Sequence, residues 1–198
     1  MIESKQDYIL YLEADKKAME FPDKITLKDR LYNFIFKREL FNFQQLLRKV
    51  EYYKNCKKSL FWKPYSAYLW RKFLKQQIKL GFFIRPNCFG PGLSIRHIGS
   101  IIVNPHSRIG SNCRIYPCVV IGTKAGFKDL APTIGNNVYI GPGAKIFGPI
   151  TIADGIAIGA NAVVTKSFIE KNITIAGIPA RKISNKGSKD FLPDFTTL

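Results

Sequence analysis

Aliphatic residues recur at intervals of six through the second half of the chain. A first run of four such positions is followed, after a break, by a second run of six with the same spacing. The fourth residue after each position is small or aliphatic except after the last, and glycine directly follows five of them. This period differs from the period of about 3.6 of a helix and about 2 of a strand, so it indicates a repeat architecture. The ten positions are Val103, Ile109, Ile115, Ile121, Ile134, Ile140, Ile146, Ile152, Ile158 and Val164.

The period predicts a solenoid of triangular cross-section over residues 81–183. Each six-residue unit would supply one short strand and one turn, and three units would complete a coil with the aliphatic side chains inside. Consecutive coils would pair their backbones at the spacing of about 4.8 Å found in any sheet. The glycines, and asparagines such as Asn136, Asn137 and Asn161, tolerate the backbone angles of tight turns. We therefore predict a mainly β fold, a left-handed parallel β-helix; the alternative is a sandwich with an accidental spacing.

The regular spacing is broken once. Ile121 and Ile134 lie 13 residues apart, which is two units plus one, and residues 123–132 between them do not follow the pattern. The break predicts a loop extruded from the β-helix. Loops on a rigid scaffold often carry function, although a tolerated insertion without function is the alternative.

The pattern of residues 1–80 is helical. The segments 27–43 and 43–53 mix apolar and charged residues at spacings of three and four. A third helix is predicted for residues 65–80, where Gly81 provides a C-terminal cap. We thus expect an α-helical N-terminal region before the β-helix. The polar stretch 184–198 is expected to form a loose C-terminal tail.

The composition is that of a globular protein. Hydrophobic residues make up 46% of the 198 residues, and no apolar run approaches the roughly 20 residues of a membrane span. Residues 1–12 show no signal peptide, so we expect a cytoplasmic protein. The four cysteines form no CxxC pair and only two histidines are present, which argues against a metal site and favours reduced thiols.

The net charge of +17 is spread over both halves of the chain. Such a charge is compatible with nucleic acid, an anionic membrane surface or a phosphorylated cofactor. No nucleic-acid-binding module is recognisable, so we expect no nucleic-acid partner. Residues 59–75 combine aromatic and basic residues as an interfacial helix does, and peripheral contact with the inner face of the membrane is one interpretation. The other is a helix docked on its own oligomer.

Five segments of the repeat region carry a family resemblance: 92–97, 109–113, 121–123, 138–148 and 176–180. They resemble the hexapeptide-repeat acyltransferase superfamily and, within it, the serine acetyltransferase type. The N-terminal region resembles the short helical leader of acetyltransferases from bacterial surface-polysaccharide clusters. The resemblance covers residues 82–183 and implies a homotrimer, with acetyl-CoA as co-substrate in the groove between neighbouring β-helices and an active site shared across the interface.

The resemblance assigns roles to individual residues. His97 matches the general base of the family, and a neutral imidazole can take the proton of an acceptor hydroxyl while the oxygen attacks the thioester. The alternative is a structural histidine. Lysine and arginine suit the phosphates of the cofactor, although Lys166 and Lys182 are also compatible with ordinary solvated charges. The residues implied for cofactor binding are Gly122, Thr123, Pro142, Ala160, Thr165, Lys166, Arg181 and Lys182.

Three departures from serine acetyltransferases concern the acceptor. The aspartate that orients the histidine in the family corresponds here to the region of Phe82 and Phe83, and the aspartate before the histidine is replaced by Arg96. The family's second histidine, before a proline in the extruded loop, corresponds to Ala131. These family residues help to bind the amino acid. We therefore favour a sugar hydroxyl of a surface polysaccharide or its precursor over L-serine, and a non-catalytic structural or binding β-helix is the alternative of another class.

Overall fold

The computed structural model describes residues 1–20 and 33–193, and the N-terminal region is helical, as predicted. The predicted segment 43–53 lies within a longer helix, and the first helix, over residues 5–18, is not among the predicted segments. Residues 27–32 of the predicted segment 27–43 lie outside the described residues. Ser4 caps the first helix by accepting a hydrogen bond from the Asp7 N–H, and Gly81 ends the third in the left-handed conformation at φ 76°. The helices are α1 Lys5–Ala18, α2 Asn33–Cys56 and α3 Lys63–Leu80, with a 3₁₀ turn at Leu60–Trp62 before α3.

Short strands follow from residue 82 onward and stack into three sheets. Sheet A has the order β1-β3-β6-β9-β12, sheet B the order β4-β7-β10, and sheet C the order β2-β5-β8-β11-β13-β14. The strands are β1 Phe82–Ile84, β2 Ser94–Ile95, β3 Ile101–Val103, β4 Arg108–Ile109, β5 Arg114–Ile115, β6 Val119–Gly122, β7 Thr133–Ile134, β8 Tyr139–Ile140, β9 Lys145–Phe147, β10 Thr151–Ile152, β11 Ala157–Ile158, β12 Val163–Val164, β13 Thr174–Ala176 and β14 Arg181–Ser184.

These sheets are the three faces of a left-handed parallel β-helix, as predicted. The chain visits A, B and C in turn, and among the described strands every pairing is parallel except that of β13 with β14. The ten aliphatic positions are all buried and stack in register, for example Val103 on Ile121 and Ile121 on Ile146. Their side chains therefore form one continuous core along the axis.

The extruded loop is visible as a jump in register. Val103 and Ile121 are paired at a separation of 18 residues, whereas Ile121 and Ile146 are paired at 25. The loop thus adds seven residues to one coil. Its base is closed by the Lys124 N–H, which donates to the Leu130 carbonyl at 2.9 Å. Residues 124–129 are all exposed, so the loop leaves the core undisturbed.

The glycines that follow the aliphatic positions have a different role from the one predicted. None of these five glycines has positive φ, whereas Asn137 and Asn161 do, at 53° and 56°. A Cβ on Gly141 would lie 2.8 Å from the Ile158 carbonyl oxygen of the next coil. These positions exclude side chains because adjacent coils approach closely there, and Asn137 and Asn161, but not Asn136, provide left-handed turns.

A buried ionic cluster joins the helices to the first coil. Arg48 is fully buried, and its guanidinium contacts Asp15 at 2.8 Å and Glu51 at 3.0 Å. It also donates to the carbonyls of Phe89 and Gly90 at 2.9 and 2.6 Å. Charges this deep are tolerated only when paired and fully hydrogen-bonded, so the cluster fixes α2 against the first coil.

Backbone groups of the first coil, which have no preceding coil to pair with, bond to helix side chains instead. The Asp15 carboxylate accepts hydrogen bonds from the Gly92 and Leu93 N–H groups at 2.9 and 2.8 Å. Gln44 donates to the Leu93 carbonyl at 2.6 Å and accepts from the Ile95 N–H at 3.1 Å. The helices therefore cap the open end of the β-helix and position β2.

The C-terminal stretch is more ordered than expected. β14 returns antiparallel along β13 and covers the open edge of sheet C, which would otherwise expose unpaired backbone groups. Ser188 is buried and its hydroxyl donates to the Asn137 carbonyl. A 3₁₀ turn at Lys189–Phe191 follows. The expectation of a loose tail is thus wrong for residues 184–191, and residues 194–198 lie outside the described residues.

Candidate functional site

The candidate base lies on one longitudinal edge of the β-helix. His97 is exposed in the turn between β2 and β3, where the chain passes from sheet C to sheet A. Pro142 lies between β8 and β9, and Ala160 between β11 and β12, so both occupy the same C–A edge in later coils. Pro142 and Ala160 are exposed as well. With about 4.8 Å per coil, they follow His97 along the axis at two and three coil spacings.

The other cofactor candidates lie on the opposite edge of sheet A. Gly122 ends β6 and Thr123 follows it at the start of the extruded loop, while Thr165 and Lys166 follow β12. All four lie on the A–B edge. A Cβ on Gly122 would come within 2.7 Å of the Phe147 ring, which lies against it in the next coil. Within one protomer, sheet A therefore separates this group from the histidine.

The two basic candidates near the C-terminus lie on β14 at the border of sheet C, where Arg181 pairs with Ala176 and Lys182 with Ile175. Arg181 is exposed. The Lys182 ammonium pairs with the Glu170 carboxylate at 2.5 Å, so it is engaged within the protomer.

His97 heads a row of aromatic side chains that the sequence analysis missed. Its ring centroid lies 5.8 Å from that of Tyr116, which lies 5.4 Å from Tyr139, and Phe191 is 5.0 Å further on. We call these four residues the aromatic row. Burial raises the pKa of Tyr139, and the neighbouring Tyr116 raises it further, so the Tyr139 phenol stays protonated at neutral pH. The available signal was that both tyrosines adjoin repeat positions, one after Ile115 and one before Ile140.

The charges beside His97 are arginines held by one carboxylate. Glu20 contacts Arg96 and Arg114, each at 3.0 Å. Burial opposes the charge of Glu20, but the hydrogen bonds and charges of the two arginines outweigh it and lower the pKa of this carboxyl. Arg114 is buried, and its Nε has no partner among the described residues. Within the same residues, no carboxylate bonds to His97, whose ring contact is Tyr116.

Comparison with known proteins agrees with this architecture. The family described as "Bacterial transferase hexapeptide (six repeats)" matches residues 131–166. A serine acetyltransferase from Helicobacter pylori (strain J99) is 38% identical over 106 residues, covering 52% of this chain and 61% of the relative. The chain is thus similar to serine acetyltransferases, and part of its repeat region matches the hexapeptide family. It spans between 44% and 61% of the length of the curated relatives it matches.

Solved serine acetyltransferases share the fold of this hexapeptide-repeat protein. The soybean apoenzyme superposes with a TM-score of 0.70 and 25% identity, covering 90% of this chain and 70% of that one. The Brucella abortus enzyme in complex with coenzyme A superposes with a TM-score of 0.66 and 26% identity, covering 92% of this chain and 68% of that one. Coverage this high includes helices as well as the β-helix, so the arrangement of the two parts is also similar.

Proposed function

We propose that this hexapeptide-repeat protein transfers an acetyl group from acetyl-CoA to an acceptor hydroxyl, with His97 as general base. The observation that carries the proposal is the exposed imidazole at the head of the C–A edge, on a fold shared with serine acetyltransferases. His97 would accept the hydroxyl proton while the oxygen attacks the thioester carbonyl. The coenzyme A thiolate would then leave and recover the proton from the imidazolium. Such general-base help typically contributes about 10²–10⁴-fold to the rate.

The cofactor is proposed to bind along the two edges of sheet A. Pro142 and Ala160 expose small apolar surfaces that suit the pantetheine arm, and Thr123 and Thr165 provide hydroxyl groups on the other edge. Lys166, which is exposed, suits a phosphate. Gly122 keeps the base of the loop narrow by admitting the Phe147 ring. Arg181 and Lys182 would add charge near the end of the groove, the latter after releasing Glu170.

A homotrimer is proposed because one protomer leaves the site divided. Phe83, Ile102 and Val120 stand in register on the outer face of sheet A, and the first two are about half exposed. An exposed apolar stripe of this kind supports a subunit interface. In a cyclic trimer, the C–A edge of one protomer would meet the A–B edge of the next, and His97 would join the cofactor residues of its neighbour.

A sugar hydroxyl is the acceptor that we favour. Rings such as Tyr116 and Tyr139 present flat apolar faces with polar tips, which match the faces and hydroxyls of a sugar. Arg96 stands directly before His97 where the family has an aspartate, so a carboxylate partner for an ammonium group is missing at that position. L-serine is the second candidate, because the named relatives are serine acetyltransferases.

The proposal is tested with the variant His97→Asn. Release of free thiol from acetyl-CoA should fall by about 10²–10⁴-fold while coenzyme A still binds. His106→Asn is the matched control, since His106 is also exposed but lies in the turn before β4. Unchanged turnover in His97→Asn would contradict the mechanism.

The acceptor is tested on the wild type with L-serine against a panel of glycans. We expect turnover on glycans, and robust activity on serine alone would exclude the sugar preference. A chain that neither binds coenzyme A nor turns over with any acceptor would support the non-catalytic β-helix.

A further inference from the structure

A long part of the chain around α3 carries positive charge without compensation from its own sequence. Between Glu51 and Asp129 there is no acidic residue. Within residues 52–80, seven of the eight basic residues are exposed and Lys57 is half-buried. The eight are Lys54, Lys57, Lys58, Lys63, Arg71, Lys72, Lys75 and Lys79. Acetyl transfer as proposed above uses none of them.

The 3₁₀ turn before α3 presents two apolar side chains amid these charges. Leu60 and Phe61 are 73% and 79% exposed. The next residue, Trp62, is half-buried and lies edge-on to Tyr53 at 5.6 Å. Trp62 also contacts Phe61, with ring centroids 5.2 Å apart. The turn is therefore anchored to the helices while Leu60 and Phe61 point outward, and we call these two residues the apolar tip.

Cations surround the apolar tip on both sides. Lys58 precedes it and Lys63 follows it, and both are exposed. On α3, Tyr68, Arg71 and Lys75 are exposed at spacings of three and four, so they share one side of the helix. This combination of apolar, aromatic and basic groups is the one that binds the headgroup region of a membrane.

We propose that the apolar tip and the basic outer side of α3 dock on an anionic membrane surface. Leu60 and Phe61 would enter the boundary between headgroups and acyl chains, and the flanking lysines would contact anionic headgroups. The contact is peripheral, since no helix in the described parts of the chain is long and apolar enough to cross a membrane. Docking is independent of acetyl transfer and would hold the enzyme beside acceptors carried in the bilayer.

The positive charge of this face favours an anionic membrane over a second copy of the chain as the partner. A symmetric contact through the apolar tip would bring Lys58 and Lys63 of one copy against those of the other, and the whole chain carries +17, so other faces of a copy are basic on average. Nucleic acid fits the charge, but an exposed aliphatic side chain such as Leu60 contributes nothing to phosphate or base contacts. A membrane uses both features.

The test is flotation of the full-length protein with vesicles of phosphatidylcholine alone or with 30% phosphatidylglycerol. We expect binding to the anionic vesicles only, weakened by high salt because surface charges are screened. Leu60→Ser/Phe61→Ser and Lys57→Gln/Lys58→Gln/Lys63→Gln should each reduce the bound fraction at least tenfold. Ile169→Ser is the matched control, since Ile169 is 81% exposed but lies between β12 and β13, at the end of the β-helix opposite the helices, and should leave binding unchanged.

Several outcomes would overturn the proposal. These are absence of wild-type binding to anionic vesicles, undiminished binding of the tip variant, and a changed oligomeric mass of that variant, which would make the tip a subunit contact. Displacement from vesicles by a single-stranded oligonucleotide, with equal loss of oligonucleotide binding in both variants, would assign the face to nucleic acid. Thiol release with a soluble acceptor should be unchanged in the tip variant, so failure of docking and failure of the acetyl-transfer proposal are distinguishable.

Discussion

Burial divides the cysteines into chemically different classes. Burial raises the pKa of the Cys113 thiol to about 12 and that of Cys88 to about 11. Cys118 is exposed in a left-handed turn on the C–A edge, one coil after His97. Because the thiolate is the reactive form, Cys118 should react readily, whereas Cys113 and Cys88 should be inert in the folded protein.

This difference predicts the order of labelling by a thiol reagent at pH 8. Cys118 should be modified at least about 100-fold faster than Cys113, since the latter is both inaccessible and protonated. Mass spectrometry of peptides after short exposure measures the two rates, and Cys118→Ser should remove the fast phase. Coenzyme A should slow the fast phase, because the cofactor is proposed to lie along the same edge. Equal rates for the two cysteines would contradict the packing.

The glycines that follow the strands are required for close contact between coils, and not for the positive φ angles that glycine usually provides in turns. Adding a methyl group at Gly141 would bring it within 2.8 Å of the Ile158 carbonyl and 2.9 Å of the Ala160 nitrogen, both backbone atoms. Neither can move without separating two coils. Gly126, in the extruded loop, is the opposite case, since its φ is 84° but nothing lies within 4 Å of an added methyl.

The pair Gly141→Ala and Gly126→Ala therefore separates coil contact from backbone strain. Gly141→Ala should cost about 3 kcal/mol or more of unfolding free energy, as overpacking against fixed atoms does. Gly126→Ala should cost about 1 kcal/mol, the strain of a left-handed alanine. Denaturant unfolding of both variants measures the difference. If Gly126→Ala were the more damaging substitution, close coil contact would not be the reason for the glycine at position 141.

The β-helix could be predicted from the sequence because its contacts repeat. Each six-residue unit has similar residue types at equivalent positions. The stacking of Ile121 on Ile146 can therefore be predicted from the local spacing of aliphatic residues. The closure of the first coil by the N-terminal helices was not predictable in this way. Asp15 bonds to Gly92 and Leu93 across 77 and 78 residues, and nothing in the local pattern links α1 to that turn.

The candidate site shows the same division. The resemblance identifies His97 as the general base, and this role stays a prediction. The position of His97 in a turn of the first coil could be expected, because the residue lies just before the first repeat position, Val103. Tyr116 and Tyr139 lie in consecutive coils whose register is 25 residues because the extruded loop lies between them, so their contact follows from the sequence only once the length of the loop is known. Arg114 meets Glu20 across 94 residues, so the charge beside His97 required the fold. Residues that touch through stacked coils are therefore accessible from sequence only once the register is known.

The proposed trimer makes a quantitative prediction about mixed assemblies. His97 belongs to one edge of sheet A, and Thr165 and Lys166 to the other, so the variants His97→Asn and Thr165→Glu/Lys166→Glu should each be inactive alone. In any trimer that contains both variants, one of three interfaces would combine an intact histidine with an intact cofactor edge. Random mixing should thus restore about a quarter of wild-type activity.

Co-expression of the two variants with different affinity tags, followed by tandem purification and the thiol-release assay, measures this recovery. The quarter applies to the unselected mixture, and the doubly tagged fraction should reach about a third, because every trimer in it is mixed. Wild type mixed with His97→Asn serves as the reference for assembly. A monomeric mass, or mixed trimers without activity, would mean that the site is completed within one protomer. In that case one cofactor molecule would have to reach across sheet A, from the edge of Thr165 and Lys166 to the edge of His97. The separation of these two edges within a protomer argues against such binding.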